Sequence, residues 1–191
     1  SLVICNPRNQ SPLQKAMDYA CAVSKQSFGD ISCSIARTLD IVGPRWTALV
    51  LRDLFAGMAR FEDIRRDLGI ASNVLAARLE DLERHGIVTR RQYQSAPPRF
   101  EYVLTDKGRD LYPVIATLLA WGDKWTAGEG GPPALLVHDE CGCVTTAKAV
   151  CAECGGELGA LTTTAVPGPG AHVGPGTAVI GGFLAPGEPG A

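Results

Sequence analysis

A surplus of positive charge is what this chain most plainly lacks. Its 18 lysines and arginines are outnumbered by 20 aspartates and glutamates across 191 residues, so no bulk attraction to nucleic acid or anionic membrane operates. Long hydrophobic runs are missing as well. The richest, at 114–121, falls far below the roughly 20 apolar residues a membrane-spanning helix needs. No secretion signal is legible, because the apolar start Leu2-Val3-Ile4-Cys5 is stopped at once by Asn6 and Pro7. Histidine is scarce: His85, His138 and His172 have no evident serine, aspartate or paired-carboxylate partner, so no enzymatic arrangement is read. The expected class is a cytosolic, non-enzymatic protein with one principal domain and appendages.

What is present is local. Residues 89–100 carry Arg90, Arg91 and Arg99 with no acid, whereas no lysine or arginine follows Lys148. Such a strip counts for more than the average charge in judging a nucleic-acid surface. Just before it, residues 72–85 predict a helix. Ser72 supplies a capping oxygen, and Leu75, Leu79 and Leu82 recur at i, i+4 and i+7 as one buried stripe. The opposite face carries Asn73, Ala77, Glu80 and Arg84, and its N-terminal part is small and neutral. Upstream, residues 61–68 read as a short helix and Gly69-Ile70-Ala71 as a tight turn. Helix, glycine-containing turn, helix is a helix-turn-helix signature.

The remaining elements read as support. Residues 1–31 have weak periodicity and are expected to be a loosely ordered leader. Ser32 should cap a first short helix holding Ile35 and Leu39 on one side. Pro44 is tolerated in the first turn of a second helix, whose buried stripe is Trp46, Leu49 with Val50, and Leu54. After Gly86, residues 87–93 and 99–104 predict a β-hairpin with Pro97 and Pro98 at its tip, a wing directly behind the helix-turn-helix. Thr105 should cap a long helix, kinked at Pro113, bearing Leu111, Val114, Ile115, Leu118, Leu119, Trp121 and Trp125. That stripe is more apolar than one outlying helix needs, which predicts a homodimer interface, packing of part of it on the winged-helix core being the other reading. A linker at 128–137, a cysteine segment at 138–160 and a Gly/Pro-rich disordered tail at 161–191 complete the chain. The fold class is therefore mainly α with a small β-hairpin (α+β), a winged helix-turn-helix over 32–127 plus a zinc-ribbon-like segment.

The geometry suggests double-stranded DNA. The N-terminal part of the 72–85 helix would enter the major groove, where the Asn73 carboxamide can pair bidentately with adenine and Ala77 leaves room for close approach. Ser72 and Arg78 suit phosphates, and Arg90, Arg91 and Arg99 would reach phosphates or a minor groove from the wing. The competing reading is a protein-interaction module, against which stands a wing with three arginines and no acid.

Seven cysteines make an odd number for a disulfide framework. Cys141, Cys143, Cys151 and Cys154 are clustered, which favours a structural, closed Zn²⁺ site, with His138 as a rival ligand. A redox pair and an unliganded loop are the other readings. Cys33 is a small buried hydrophobe in the simplest view. Its place at a first helical turn, with Arg37 one turn on, also suits a stabilised thiolate.

Several stretches together resemble the HxlR-type winged-helix regulators: Cys33 through Trp46, Leu51-Arg-Asp-Leu54, Arg60-Phe-Glu-Asp-Ile-Arg65, Leu75-Ala-Ala-Arg-Leu-Glu-Asp-Leu82, Gly86-Ile-Val-Thr-Arg90 and Pro97 through Gly108. The resemblance covers about 32–125 in order, leaving out the leader, the cysteine segment and the tail. It implies a dimeric bacterial DNA-binding regulator in which a thiol near the start of the first helix, here Cys33, responds to oxidants or electrophiles in some members.

Overall fold

A computed structural model describes residues 27–170 apart from 29, 32 and 167, and among these described residues the chain forms five α-helices, one 4-residue helical segment and two β-hairpins. Cys5, Cys21, the expected cap Ser32 and most of the leader and tail lie outside the described residues. The chain divides into two units, Ser1–Asp40 with Pro169–Ala191, and Ile41–Gly168. α1 (Ser34–Val42), whose residues up to Asp40 belong to the first unit, begins just after Cys33. Asp40 on this helix accepts hydrogen bonds from the Ser27 hydroxyl at 2.9 Å and the Phe28 N–H at 2.9 Å. Ile35 and Leu39 do share a side of α1, but they are exposed.

The second unit contains the core. α2 (Thr47–Phe55) follows a turn holding Pro44, which therefore precedes the helix instead of lying in its first turn. Its buried residues are Thr47, Val50, Leu51, Asp53 and Leu54, while Leu49 is exposed. Of the expected stripe, Val50 and Leu54 are buried and Trp46 packs on the core, but Leu51 takes the place expected of Leu49, because three successive apolar residues at 49–51 leave the helical period without a polar marker. Asp53 is buried while its partner guanidinium stays at the surface: Arg52 donates to Asp53 Oδ1 at 2.6 Å and to Asp67 at 2.8 Å, tying α2 to α3 (Phe61–Leu68). Burial pushes the Asp53 carboxyl above its ordinary 3.8, and its Oδ2 has no hydrogen-bond partner.

α3 ends at Gly69, whose φ of +60° turns the chain through buried Ile70 into α4 (Ser72–Arg84). Only glycine adopts that left-handed conformation cheaply. Leu75, Leu79 and Leu82 are 0–1% exposed and pack with Val50, Leu51, Leu54, Ile64, Ile87 and Val88. Each buried leucine contributes about 2 kcal/mol of transfer free energy. β1 (Val88–Ser95) and β2 (Pro98–Leu104) form the expected hairpin, antiparallel from Val88↔Leu104 to Ser95↔Pro98, with an irregularity at Tyr93. A short contribution from before α3 extends it: Tyr102 N–H donates to the Ala59 carbonyl at 2.7 Å and Arg60 bridges Glu101.

The Thr105-Asp-Lys-Gly108 turn anchors the wing. Thr105 caps α5 (Asp106–Arg109) by accepting from the Gly108 N–H at 3.1 Å, while its own hydroxyl donates to the Gly86 carbonyl at 2.7 Å. Gly108 is buried so close to β1 that a Cβ there would lie 2.1 Å from the Ile87 carbonyl oxygen. Gly108→Ala should therefore force the backbone apart and cost about 1–3 kcal/mol. Urea unfolding of the full chain checks this, and an unchanged midpoint would show that the turn has slack.

The expected single long helix is two. Asp110 and Leu111 separate α5 from α6 (Tyr112–Trp125), and Pro113 sits in the opening turn of α6, where no backbone donor is needed, so it starts a helix instead of kinking one. Leu111 and Ile115 pack on the core, and Tyr112 meets Phe55 edge to face at 5.1 Å. The opposite side, Val114, Leu118, Trp121 and Trp125, is 47–64% exposed. Beyond it, β3 (Leu136–His138) begins inside the expected linker, ends on the first residue of the expected cysteine segment and pairs with β4 (Cys143–Thr145).

Candidate nucleic-acid interface

The exposed face of α4 starts at its N-terminus. Ala71, not Ser72, is the N-cap residue, with an extended backbone and no side-chain cap; Ser72 is already helical. The first intrahelical donors, Val74 and Leu75, both reach the Ala71 carbonyl. This leaves the Ser72 and Asn73 N–H groups and the positive end of the helix dipole facing outward. Ser72 and Asn73 are exposed, as expected. Ala77 is half-buried, and Ala76 is the exposed alanine one turn beyond Ser72. Choosing between the two from sequence required the angle of the stripe, which flanks both positions. Arg78 is mostly buried against its helix and pairs with Asp81 at 3.1 Å, an acid that Arg84 also engages.

The wing is less bare than its sequence. Arg90 donates to Glu83 at 3.0 Å, which holds the guanidinium above its ordinary pKa, and lies 5.8 Å from the Phe100 ring centroid. Arg91 stands directly across the ladder from Glu101 and donates to it at 2.7 Å. The segment 89–100 contains no acid, but the fold supplies two from outside it. Among the described residues, Arg99 forms no ion pair. One cation escaped the sequence reading: Arg60, the exposed N-cap residue of α3, stacks its guanidinium 4.7 Å from the Tyr93 ring centroid and so joins the wing. Its signal was the Arg60-Phe61 helix start, which gives no hint of strand pairing.

Cys33 is half-buried and its carbonyl accepts the Arg37 N–H at 3.1 Å, placing the thiol at the opening turn of α1. In the cysteine segment, Cys141, Cys143 and Cys154 are exposed and Cys151 is half-buried, all as free thiols. Cys141 lies 3.4 Å from His138 Nδ1, and Cys143 points its sulfur at the Cys141 carbonyl at 3.6 Å. Backbone N–H groups of Cys154 and Glu153 pull the Cys151 thiol below its usual range. Among the described residues no three histidine, cysteine or carboxylate groups are gathered into one metal cluster.

An outward helix start beside a cationic hairpin defines a winged helix-turn-helix of the DNA-binding type. The sequence profile of the HxlR-like helix-turn-helix family matches residues 41–129. An HTH-type transcriptional regulator of Mycobacterium tuberculosis (strain H37Rv) is 43% identical over 149 residues, 78% of this chain and 94% of that one. YdeP, an HTH-type regulator of Bacillus subtilis, is 39% identical over 49% of this chain and 73% of its own length. In solved structures, PA1607, a candidate transcription factor, matches with a TM-score of 0.67 at 36% identity, over 73% of this chain and 98% of that chain. The chain belongs to the HxlR-like helix-turn-helix family. It is a DNA-binding transcriptional regulator and not an enzyme. Among the described residues no helix is long and apolar enough to cross a membrane.

Proposed function

We propose that the chain acts in the cytoplasm as a homodimer on a pseudo-palindromic operator. The Ser72–Asn73–Ala76 face of α4 enters the major groove, and Arg60, Arg90, Arg91 and Arg99 hold the flanking phosphates. The observation that carries this reading is the small exposed opening of α4 beside a cationic hairpin. Arg90 and Arg91 exchange a glutamate for a phosphate on binding. That exchange is cheaper for Arg90, whose partner Glu83 is more exposed than Glu101, since exposed ion pairs are worth only about 0–1 kcal/mol. The stripe Val114, Leu118, Trp121 and Trp125 supplies the subunit contact that sets the half-site spacing. Cys33 tunes it: oxidation or alkylation of a thiol at the start of α1 alters the dimer and hence the distance between recognition helices.

Selection of bound sites from random duplex DNA, with reduced and with diamide-treated protein, tests all three parts. Half-sites about 10–10.5 base pairs apart, or a multiple, are expected. Binding to the selected site should fall steeply with salt, as phosphate contacts require. Cys33→Ser protein is expected to bind like the reduced wild type and to ignore diamide. If the variant loses affinity with diamide as the wild type does, the sensing role moves elsewhere. A second reading, a protein-docking wing, draws on the Glu83 and Glu101 pairs, which neutralise two of the wing arginines. A flat salt dependence with no selected sequence would favour it.

A further inference from the structure

Two five-residue stretches of the cysteine segment share one backbone design. In His138-Asp-Glu-Cys141-Gly142, the Gly142 N–H donates to the His138 carbonyl at 2.8 Å and Gly142 has a φ of +66°. In Cys151-Ala-Glu-Cys154-Gly155, the Gly155 N–H donates to the Cys151 carbonyl at 2.9 Å and Gly155 has a φ of +73°. In each, the first and fourth residues are metal-ligand types held at the same spacing by the same backbone turn. In the first stretch the two side chains also meet, His138 Nδ1 lying 3.4 Å from Cys141 Sγ. Each stretch also closes a small antiparallel hairpin. The His138↔Cys143 pair ends the β3–β4 ladder, and the Val150↔Glu157 bridge, with a Leu158 N–H to Ala149 carbonyl bond at 3.0 Å, frames the other.

Tetrahedral zinc has Zn–N near 2.0–2.1 Å and Zn–S near 2.3 Å, which separates a nitrogen and a sulfur ligand by about 3.6 Å along one edge. The His138–Cys141 spacing is close to that edge. Cys143 fits less well. It stands on β4 across the ladder from His138, and its thiol is turned to the Cys141 carbonyl. A spacing of one residue from Cys141 also makes joint ligation awkward, whereas the x-x spacing occurs in both matched stretches.

We infer that the segment is a Cys₃His zinc ribbon, with His138 and Cys141 from one knuckle, Cys151 and Cys154 from the other, and Cys143 outside the ligand set. The two turns are formed separately in the fold, and the ion would draw their ligands together, so binding and ordering of the segment are one event. Four protein ligands close the site to substrate, which makes the metal structural. The hairpin it would stiffen flanks α6: Leu136 and Thr145 line a cavity of about 160 Å³ with Leu119 and Asp123.

The test is metal analysis of the full chain purified under reducing conditions after growth with zinc. About one zinc per chain is expected for the wild type and for Cys143→Ser. His138→Gln and Cys151→Ser should each lose the metal, or bind it at least about tenfold more weakly against a chelating dye. Co²⁺ titration of the wild-type full chain should give tetrahedral ligand-field bands that Cys143→Ser leaves unchanged. This spectrum reads the ligand set without a variant that unfolds the segment. No stoichiometric zinc and no tetrahedral cobalt spectrum in the wild type would overturn the site. Loss of metal in Cys143→Ser with retention in His138→Gln would overturn the assignment of the fourth ligand.

Discussion

Ala76→Glu protein is expected to fold normally and to lose at least about 100-fold in affinity for its selected operator. Ala76 lies on the exposed side of α4, one turn after Ser72. A helix that reads base edges must bring its backbone close to the groove floor, and a methyl group permits this. Glutamate adds both length and a negative charge between two phosphate strands, so steric and electrostatic costs act together. The fold should hardly notice. Glutamate is a good helix former, and exposed substitutions usually stay within about 0.5 kcal/mol. Asn73→Ala should cost less, about 1–3 kcal/mol, and should relax the sequence preference at one base pair instead of abolishing binding. Fluorescence anisotropy on operator and scrambled duplexes measures both effects. Wild-type affinity in Ala76→Glu would mean that α4 does not enter the groove, whatever else the wing touches.

What could be read from sequence here depended on periodicity, and what could not depended on register. The stripe Leu75, Leu79, Leu82 fixes which side of α4 is buried, and the structure buries all three. In α2 the same reasoning chose Leu49 where the fold buries Leu51, because an almost wholly apolar turn contains no phase information. The wing strands and the tip at Pro97 were legible from alternation and breakers, although Pro98, also expected at the tip, opens β2 across from Ser95. The acids that meet them were not. Glu101 faces Arg91 only because Val88 pairs with Leu104, and Glu83 reaches Arg90 only because Gly86 turns the chain back at the end of α4. Arg60 was missed for a related reason, since one bridge to Glu101 carries no local pattern. Charge counted along a chain is therefore a poor guide to charge presented by a hairpin, where each strand brings its own residues and its neighbour's.

Leu118→Asp and, separately, Trp121→Asp are expected to convert the protein to a monomer that distinguishes poorly between a full operator and a half-site. The four side chains at 114, 118, 121 and 125 recur at i, i+4, i+7 and i+11 on α6, and the two tryptophans are 59% and 64% exposed. A contiguous apolar strip of this kind usually marks an interaction surface, and a two-fold axis lets the same strip serve both subunits. The helix should survive either change, because Leu111, Ile115 and buried Ala116 hold its other side to the core. A charge in the centre of such an interface is left without solvent or partner, and a loss of 2–5 kcal/mol or more in self-association is about what that costs. The consequence for DNA is larger than for stability. Linking two reading heads makes the second contact intramolecular, which raises overall affinity about 10²–10⁴-fold over a single head. A monomer forfeits that factor on the full operator while its half-site affinity stays the same. Light scattering of the eluting protein reports the mass, and paired titrations on full and half operators report the lost factor. A Leu118→Asp protein that remains dimeric would move the subunit contact off α6, and one that is monomeric yet keeps full-operator affinity would show that a single subunit suffices to read the site.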